Sequence, residues 1–292
     1  MNVKKITVIT LTYNNWEMID KAITSLIKQK IHHELELEYI IADDGTINFD
    51  ERYISRYLDK YEINYKIIKN KKNIGTVKSF NNAISISNGD IIIPLSADDE
   101  FYDDNVIMDI VKSFRDSNSY IITGLRALKD IDNEILLPSK KDWILFDKKE
   151  KLLKKIMIHG NIISGAATCY HRDIFSEIGF FDEKYRLLED YPFYIKALSK
   201  GYNIFLLKKP IIMYGMNGIS SNNISPILKK DHDLVLSVIL NNNSFSFFER
   251  RFIIYNRLLN KKERLKLSLI YIEQSIPFII KKIKLKLKAL YD

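Results

Sequence analysis

An alternation repeated through the first hundred residues constrains this chain most: a short β-branched run, a polar turn, then a stretch with apolar residues at helical spacing. Ile6 to Leu11, Tyr39 to Ala42, Tyr65 to Ile68 and Ile91 to Leu95 are the strand candidates, and Ile19, Ala22, Ile23, Leu26 and Ile27 typify the helical faces between them. A parallel pair needs a crossover of about a dozen residues or more, which these gaps provide. The expected fold is therefore α/β, with a mostly parallel central sheet flanked by helices. Every strand candidate leads into polar or flexible residues: Thr12-Tyr13-Asn14-Asn15, Asp43-Asp44-Gly45, Asn73-Ile74-Gly75 shortly after the third, and Ala97-Asp98-Asp99. Ligands of open α/β sheets bind outside the carboxyl ends of the strands, so these segments are expected to converge on one rim.

After an apolar stretch at Tyr120 to Thr123, a Lys- and Asp-rich span from Lys129 to Glu150 interrupts the pattern as a loop or excursion. The pattern resumes at Ser164-Gly165-Ala166-Ala167, with a helix start at Arg172. Leu188-Glu189-Asp190-Tyr191-Pro192 then opens a helix ending at Gly201, with Pro in the first turn and Gly at the end, as helix chemistry favours. Residues 1–243 are expected to form one domain, and residues 244–292 a basic helical appendage. Charge supports that division. From Glu249 onward 12 Lys and Arg face 4 Asp and Glu, so that stretch contains the whole net charge of +8. A neutral body argues against a nucleic-acid groove, whereas a basic appendage suits an anionic membrane surface. Between Ile276 and Leu290 the residues Ile276, Ile279, Ile280, Ile283, Leu287 and Leu290 fall at helical spacing among Lys281, Lys282, Lys284, Lys286 and Lys288. That spacing predicts a helix lying in the membrane interface; a helix packed on the protein's own core is the other reading. No apolar run exceeds four residues, against about 20 needed to span a bilayer. The start lacks an export signal, so a cytoplasmic protein is expected, peripheral on the inner face of the membrane.

Two adjacent carboxylates, Asp98 and Asp99, at the mouth of an apolar strand suit a hard divalent cation that also holds a diphosphate. They equally suit the N-terminus of a following helix. Asp43-Asp44-Gly45 fits a ligand contact or a plain turn, and Tyr13 and Trp16 fit base stacking or core packing. Glu189-Asp190 offers a general base for a hydroxyl nucleophile, or an N-cap in front of Pro192. The five histidines show no metal-ligand spacing, and His32 and His33 are expected to point apart. The single cysteine, Cys169, is expected as a small buried hydrophobe. A Gly-x-Gly-x-x-Gly after the first strand and a Gly-x-x-x-x-Gly-Lys loop are both missing, which counts against dinucleotide enzymes and P-loop hydrolases.

Taken in order, Thr12-Tyr13-Asn14, Asp43-Asp44-Gly45, Asn73-Ile74-Gly75, Asn88-Gly89-Asp90, Ala97-Asp98-Asp99 and Glu189-Asp190 resemble the family-2 glycosyltransferases of the GT-A fold. The resemblance is close over residues 3 to 100, recognisable from 160 to 215, and absent beyond. It implies a nucleotide-sugar donor, foremost a UDP-sugar, a divalent metal (Mn2+ or Mg2+), and inverting transfer of a hexosyl group to a hydroxyl of a glycan or lipid-linked acceptor, as in bacterial surface-polysaccharide synthesis. It would place Tyr13 against the base, between Thr12 and Asn14 of the same donor-binding segment, and Asp44 on the base edge. It would put Asp98 near the ribose, Asp99 on the metal, and Asp190 as the base that deprotonates the acceptor. Two departures stand out. Ser96 replaces the first acid of Asp-x-Asp-Asp, and Phe80 falls where an Arg often precedes Asn81, leaving Lys78 either to supply that charge or to face solvent. Two rival readings are a sugar-nucleotide-forming nucleotidyltransferase and a non-catalytic carbohydrate- or membrane-binding module. The former usually carries a Gly-rich basic loop where this chain has Tyr13-Asn14-Asn15-Trp16.

Overall fold

The computed structural model describes residues 1–61, 63–129, 134–215, 225–276 and 280. The first half alternates as expected: β1 (Lys5–Thr12), α1 (Ile19–Ile27), β2 (Glu36–Asp43), α2 (Glu51–Leu58), β3 (Asn64–Lys69), α3 (Thr76–Ile86) and β4 (Ile91–Pro94). β1 lies between β2 and β4 and is parallel to both, and β3 extends the sheet beyond β2. The second half adds β5 (Glu100–Phe101), α4 (Val106–Ser117), β6 (Ile121–Lys129), β7 (Glu134–Leu137), α5 (Lys149–His159), β8 (Thr168–His171), α6 (Asp173–Ile178), α7 (Asp190–Ser199), β9 (Ile204–Met213), α8 (Pro226–Leu240), α9 (Phe247–Ile253) and α10 (Lys261–Lys266).

Among the described residues the sheet runs β3-β2-β1-β4-β8-β6-β9-β5, with β7 paired to β6 alone. β8 is antiparallel to both neighbours, so β6 and β9 regain the direction of β1 to β4. Six of the nine strands among the described residues thus run one way, and β8 in the middle, β5 at the edge and β7 run the other. Alternating side chains of these strands feed two apolar layers. One, against α1, α2 and α4, contains Val8, Ile23, Ile41, Ile54 and Phe114. The other, against α3 and α5 to α8, contains Ile40, Phe80, Ile156, Tyr194 and Leu236.

The excursion from Lys129 to Glu150 carries β7 and a 3-10 turn at Lys140–Leu145 before α5 begins. A four-residue strand is too short to announce itself by periodicity. Phe245 and Ile253, both beyond residue 243, are buried in the same apolar layer as α5 and α7. Arg257 donates to the Met157 carbonyl at 2.6 Å and to the Tyr191 hydroxyl at 3.0 Å. The chain after residue 243 thus joins the main core at these points. Most of the basic stretch from Ile276 to Leu290 lies outside the described residues; Ile276 and Ile280 are exposed.

Asn88-Gly89-Asp90 proves to be a joint that seats β4 beside β1. The Asp90 carboxylate accepts the Lys4 and Lys5 amides at 2.7 and 2.8 Å. Asn88 donates its amide and side chain to buried Glu38, which also takes Thr7 and Lys66. Burial pushes the Glu38 carboxyl up, but these donors outweigh it and hold it below its usual value. Gly89 is pressed against β1: a Cβ there would stand 2.4 Å from the Thr7 nitrogen and 2.7 Å from the Ile91 oxygen. Since the contacts are backbone, they cannot give way. Gly89→Ala is expected to cost about 1–3 kcal/mol of stability, read as a lowered urea midpoint with unchanged slope.

Candidate active site

The carboxyl ends of β1, β2 and β3 are tied together by two buried aspartates. Asp43 accepts the Thr12 hydroxyl at 3.0 Å on one oxygen and the Gly45 and Thr46 amides at 3.0 and 2.7 Å on the other, so it is consumed by the turn after β2. Asp44 collects four donors: the Asn70 side chain (3.0 Å), the Ser79 hydroxyl (2.8 Å), and the Ile74 and Gly75 amides (2.9 and 2.8 Å). Three of these donors share Oδ1 and the Gly75 amide takes Oδ2, so both oxygens are engaged by the chain. Asn14 adopts a left-handed φ of 56° and donates its amide to the Thr46 hydroxyl at 2.9 Å. That turn leaves the Tyr13 ring 44% exposed at the rim. Trp16 instead packs edge-on against Phe49 and Tyr53, at 6.0 Å from each. Of the two aromatics, only Tyr13 is exposed.

Lys78 stands half-exposed on α3, 3.9 Å from Glu183. Phe80, where the family often has Arg, is buried and stacked on Phe181 at 5.2 Å.

Beyond β4 the chain turns so that Asp99 faces inward. It is 1% exposed; one oxygen accepts the Gly215 amide at 2.8 Å, and the other is buried with no hydrogen-bond partner among the described residues. Gly215 can approach because it lacks a side chain: a Cβ there would meet the Asp98 carbonyl oxygen at 2.2 Å. Burial pushes the Asp99 carboxyl up to about 7; Asp98 adds to the shift, while the Gly215 amide, the Ser96 side chain and, least, Arg126 oppose it.

Asp190 opens α7. One oxygen accepts the Tyr191 amide at 2.6 Å and the other the Asn161 side chain at 3.2 Å. Gly165 packs directly over it: a Cβ at Gly165 would lie 2.8 Å from that second oxygen. Burial raises both carboxyl groups of Glu189-Asp190, and the Asp190 charge raises Glu189 further. The Asn161 side chain and the Arg126 charge offset the rise at Asp190, and the two carboxyl groups titrate as a pair.

Arg126 lies on β6. Its positive charge opposes the upward shifts of both Asp99 and Asp190. Its guanidinium lies over the Tyr214 ring at 4.4 Å, and its Nε is buried without a hydrogen-bond partner among the described residues. Sequence reasoning missed Arg126, Asn161 and Gly215. A charge within the apolar run Ile121 to Leu128 was the available signal for Arg126.

His32 and His33 do not point apart. Their rings stand 4.3 Å apart, tilted by 33°, because the α1–β2 turn holds both side chains on one side. With Glu34 they form an exposed trio whose ligand atoms lie within 4.8 Å of one another. The trio precedes β2, so it sits at the opposite end of that strand from Asp43 and Asp44.

The glycosyl transferase family 2 model matches residues 7–179, more than half of the sequence. The chain belongs to glycosyl transferase family 2. An uncharacterized glycosyltransferase of Haemophilus influenzae is 31% identical over 98 residues, covering 34% of this chain and 29% of the relative. The uncharacterized glycosyltransferase MG025 of Mycoplasma genitalium is 24% identical over 208 residues, 71% of this chain and 66% of that one. Residues 1–349 of TarS from S. aureus, solved with UDP-GlcNAc, share the fold at a TM-score of 0.62 with 17% identity, over 93% of this chain and 81% of that one. The chain covers 42% of a longer TarS structure. The GT-A α/β architecture of the family-2 enzymes is thus present here.

Asp99 makes stability depend on pH. The folded state holds its proton more tightly than the unfolded chain, with a value raised from 3.8 to about 7. Its contribution is therefore full below about pH 4 and is lost as pH rises through about 7. In chelator, Asp99→Asn is expected to be more stable than wild type at pH 8, by about 1–3 kcal/mol, and to lose less stability between pH 5 and pH 8. Urea titrations at the two pH values read this directly.

Proposed function

We propose that this family-2 glycosyltransferase moves a hexosyl group from a nucleotide-diphosphate donor to an acceptor hydroxyl with inversion. The observation that carries the reading is a pair of acidic centres on one rim: Asp99, buried at the mouth of β4 with one oxygen lacking a hydrogen-bond partner among the described residues, and Asp190 at the start of α7, held by Asn161 and the Tyr191 amide. An uncharged hydroxyl is a poor nucleophile and a diphosphate is a highly charged leaving group, so a single displacement needs a base on one face and positive charge on the other. Asp190 takes the acceptor's proton, held in orientation by Asn161 and the Tyr191 amide. Arg126, whose charge is felt at both carboxyl groups, steadies negative charge on the donor. Tyr13 offers its exposed ring to the base, flanked by Thr12 and Asn14. Asp44 shapes the base edge by holding the Ile74 and Gly75 amides, Asp98 serves the ribose, and Lys78 lends charge from α3.

The Asp99 oxygen that lacks a hydrogen-bond partner among the described residues, on a carboxyl that burial has pushed up, fits a divalent cation such as Mn2+ or Mg2+, with Asp99 as the holding residue. When bound, that ion would neutralise charge on the diphosphate. TarS binds UDP and UDP-GlcNAc in its solved structures, which supports a UDP-sugar as the donor here. In calorimetry with Mn2+, Asp99→Ala is expected to lose metal-dependent UDP-sugar binding. Asp190→Asn is expected to keep that binding and lose about 10²–10⁴-fold in transfer. Equal affinity in Asp99→Ala, or normal turnover by Asp190→Asn, would remove the respective role.

The acceptor in this reading is a glycan or lipid-linked glycan of bacterial surface-polysaccharide assembly, met at an anionic membrane surface on the cytoplasmic side. No helix among the described residues is long and apolar enough to cross a membrane. What supports peripheral attachment is an exposed apolar set in the basic region: Phe247, Phe248, Leu265, Leu269 and Ile270 stand 60–84% exposed. Arg251, stacked on Phe247 and Tyr271 and paired with Glu273, fastens α9 to the segment carrying the last of these. Each Lys near an anionic leaflet contributes about 1 kcal/mol. The full chain is expected to co-sediment with anionic but not neutral vesicles. Replacing Lys281, Lys282, Lys284, Lys286 and Lys288 with Gln, or Phe247 and Phe248 with Ser, should release it. Undiminished sedimentation of both variants would refute the attachment.

A further inference from the structure

Asp190 can act as a base only if the chain leading into α7 is held still, and that chain has an unusual anchor. The amides of Arg186, Leu187 and Leu188 all point at one oxygen of Asp231, at 2.9, 2.7 and 3.1 Å. Asp231 lies on α8, is 4% exposed, and belongs to the part of the chain beyond the matched family segment. Three consecutive amides on one carboxylate oxygen form a charge-assisted nest, stronger than neutral hydrogen bonds of the same number. The segment so held is also the bridge between the two sides of the site. The Arg186 guanidinium donates to the Asn73 side chain at 2.7 Å, its carbonyl accepts the Val77 amide at 3.2 Å, and its side chain fills the space that Gly75 leaves open. Two residues beyond Leu188 is Asp190.

From this geometry we infer that Asp231 is a positioning residue for Asp190, setting where the base stands relative to the Asn73–Gly75 loop. The inference rests on the transferase reading above. Asp44 holds the Ile74 and Gly75 amides independently of α8, so losing Asp231 leaves donor binding in place while the start of α7 drifts. A misplacement of about 1 Å at a reacting group costs on the order of 10²-fold in rate. The charged groups around Asp231 are His232 and Asp233 on α8, Tyr185 and Arg186 in the held segment, Glu189 ahead of α7, and Arg257 beside His232. Its negative charge is one of the influences keeping the Glu189 proton on, so removing it lowers the pH at which the Glu189-Asp190 pair ionises.

The test compares wild type, Asp231→Asn and Asp231→Ala as full chains, with UDP-sugar donors and Mn2+. Asp231→Ala is expected to lose about 10²-fold in kcat with donor affinity within about threefold of wild type. Asp231→Asn, which retains an acceptor oxygen, should recover part of that loss, and its acidic limb should move to lower pH. Amide exchange without substrate reads the anchoring itself: peptides spanning residues 184–191 should exchange faster in both variants, with β1 to β4 unchanged. A residue that only stabilised α8 would lower the melting temperature while leaving kcat per folded molecule and the pH limb where they were. That result, or unchanged exchange over 184–191, overturns the inference. If wild type transfers nothing from any donor while exchange over 184–191 responds as expected, the transferase reading falls and the anchor stands.

Discussion

The rim of this sheet depends on one carboxylate. Asp44 draws donors from the end of β3, from the loop before α3 and from α3 itself, and by filling its own acceptor positions it turns three stretches into a single wall. Buried and fully satisfied, such a group specifies one arrangement, because any alternative leaves several polar groups without partners in a low-dielectric setting. The neighbouring Asp43 does the same for the turn that precedes the wall. What remains open at that end is the Tyr13 ring, so the wall is preorganised and one aromatic stays available.

Against that satisfied carboxylate stand three that are not at ease. Asp99, Glu189 and Asp190 are all raised by burial, and the first and last share the influence of Arg126. The contrast separates a carboxylate satisfied by the chain from carboxyl groups held at an electrostatic cost, without reference to motif. It also explains the close approach of Gly215 and Gly165: an extra carbon at either position would collide with the Asp98 backbone or the Asp190 carboxylate.

The fold of the first half was legible because its strands are long enough for β-branched runs to stand out and its crossovers force parallel pairing. The rim residues were legible too, since in a parallel sheet they follow their strands in sequence. Asn88-Gly89-Asp90 was visible as a motif, yet its work is to seat β4 on β1, a distinction that needs the Thr7 and Lys4 contacts. Arg126, Asn161 and Gly215 were not legible. Each becomes meaningful only through a partner 27 to 116 residues away in the chain, and no local period encodes such a meeting. The stacked His32 and His33 show the same limit at short range, because a turn's side-chain directions are set by backbone angles that composition does not reveal.

The reversed strand β8 has one more consequence. In a parallel strand the residues that reach the rim come after it, but a strand running the other way delivers those that come before. Asn161 and Gly165 arrive at Asp190 by this inverted route, on the segment that precedes the strand. Chain length ahead of β8 can therefore grow or shrink over Asp190 while β1 to β4 keep their register. The topology leaves one half of the rim fixed and the other free to be re-cut.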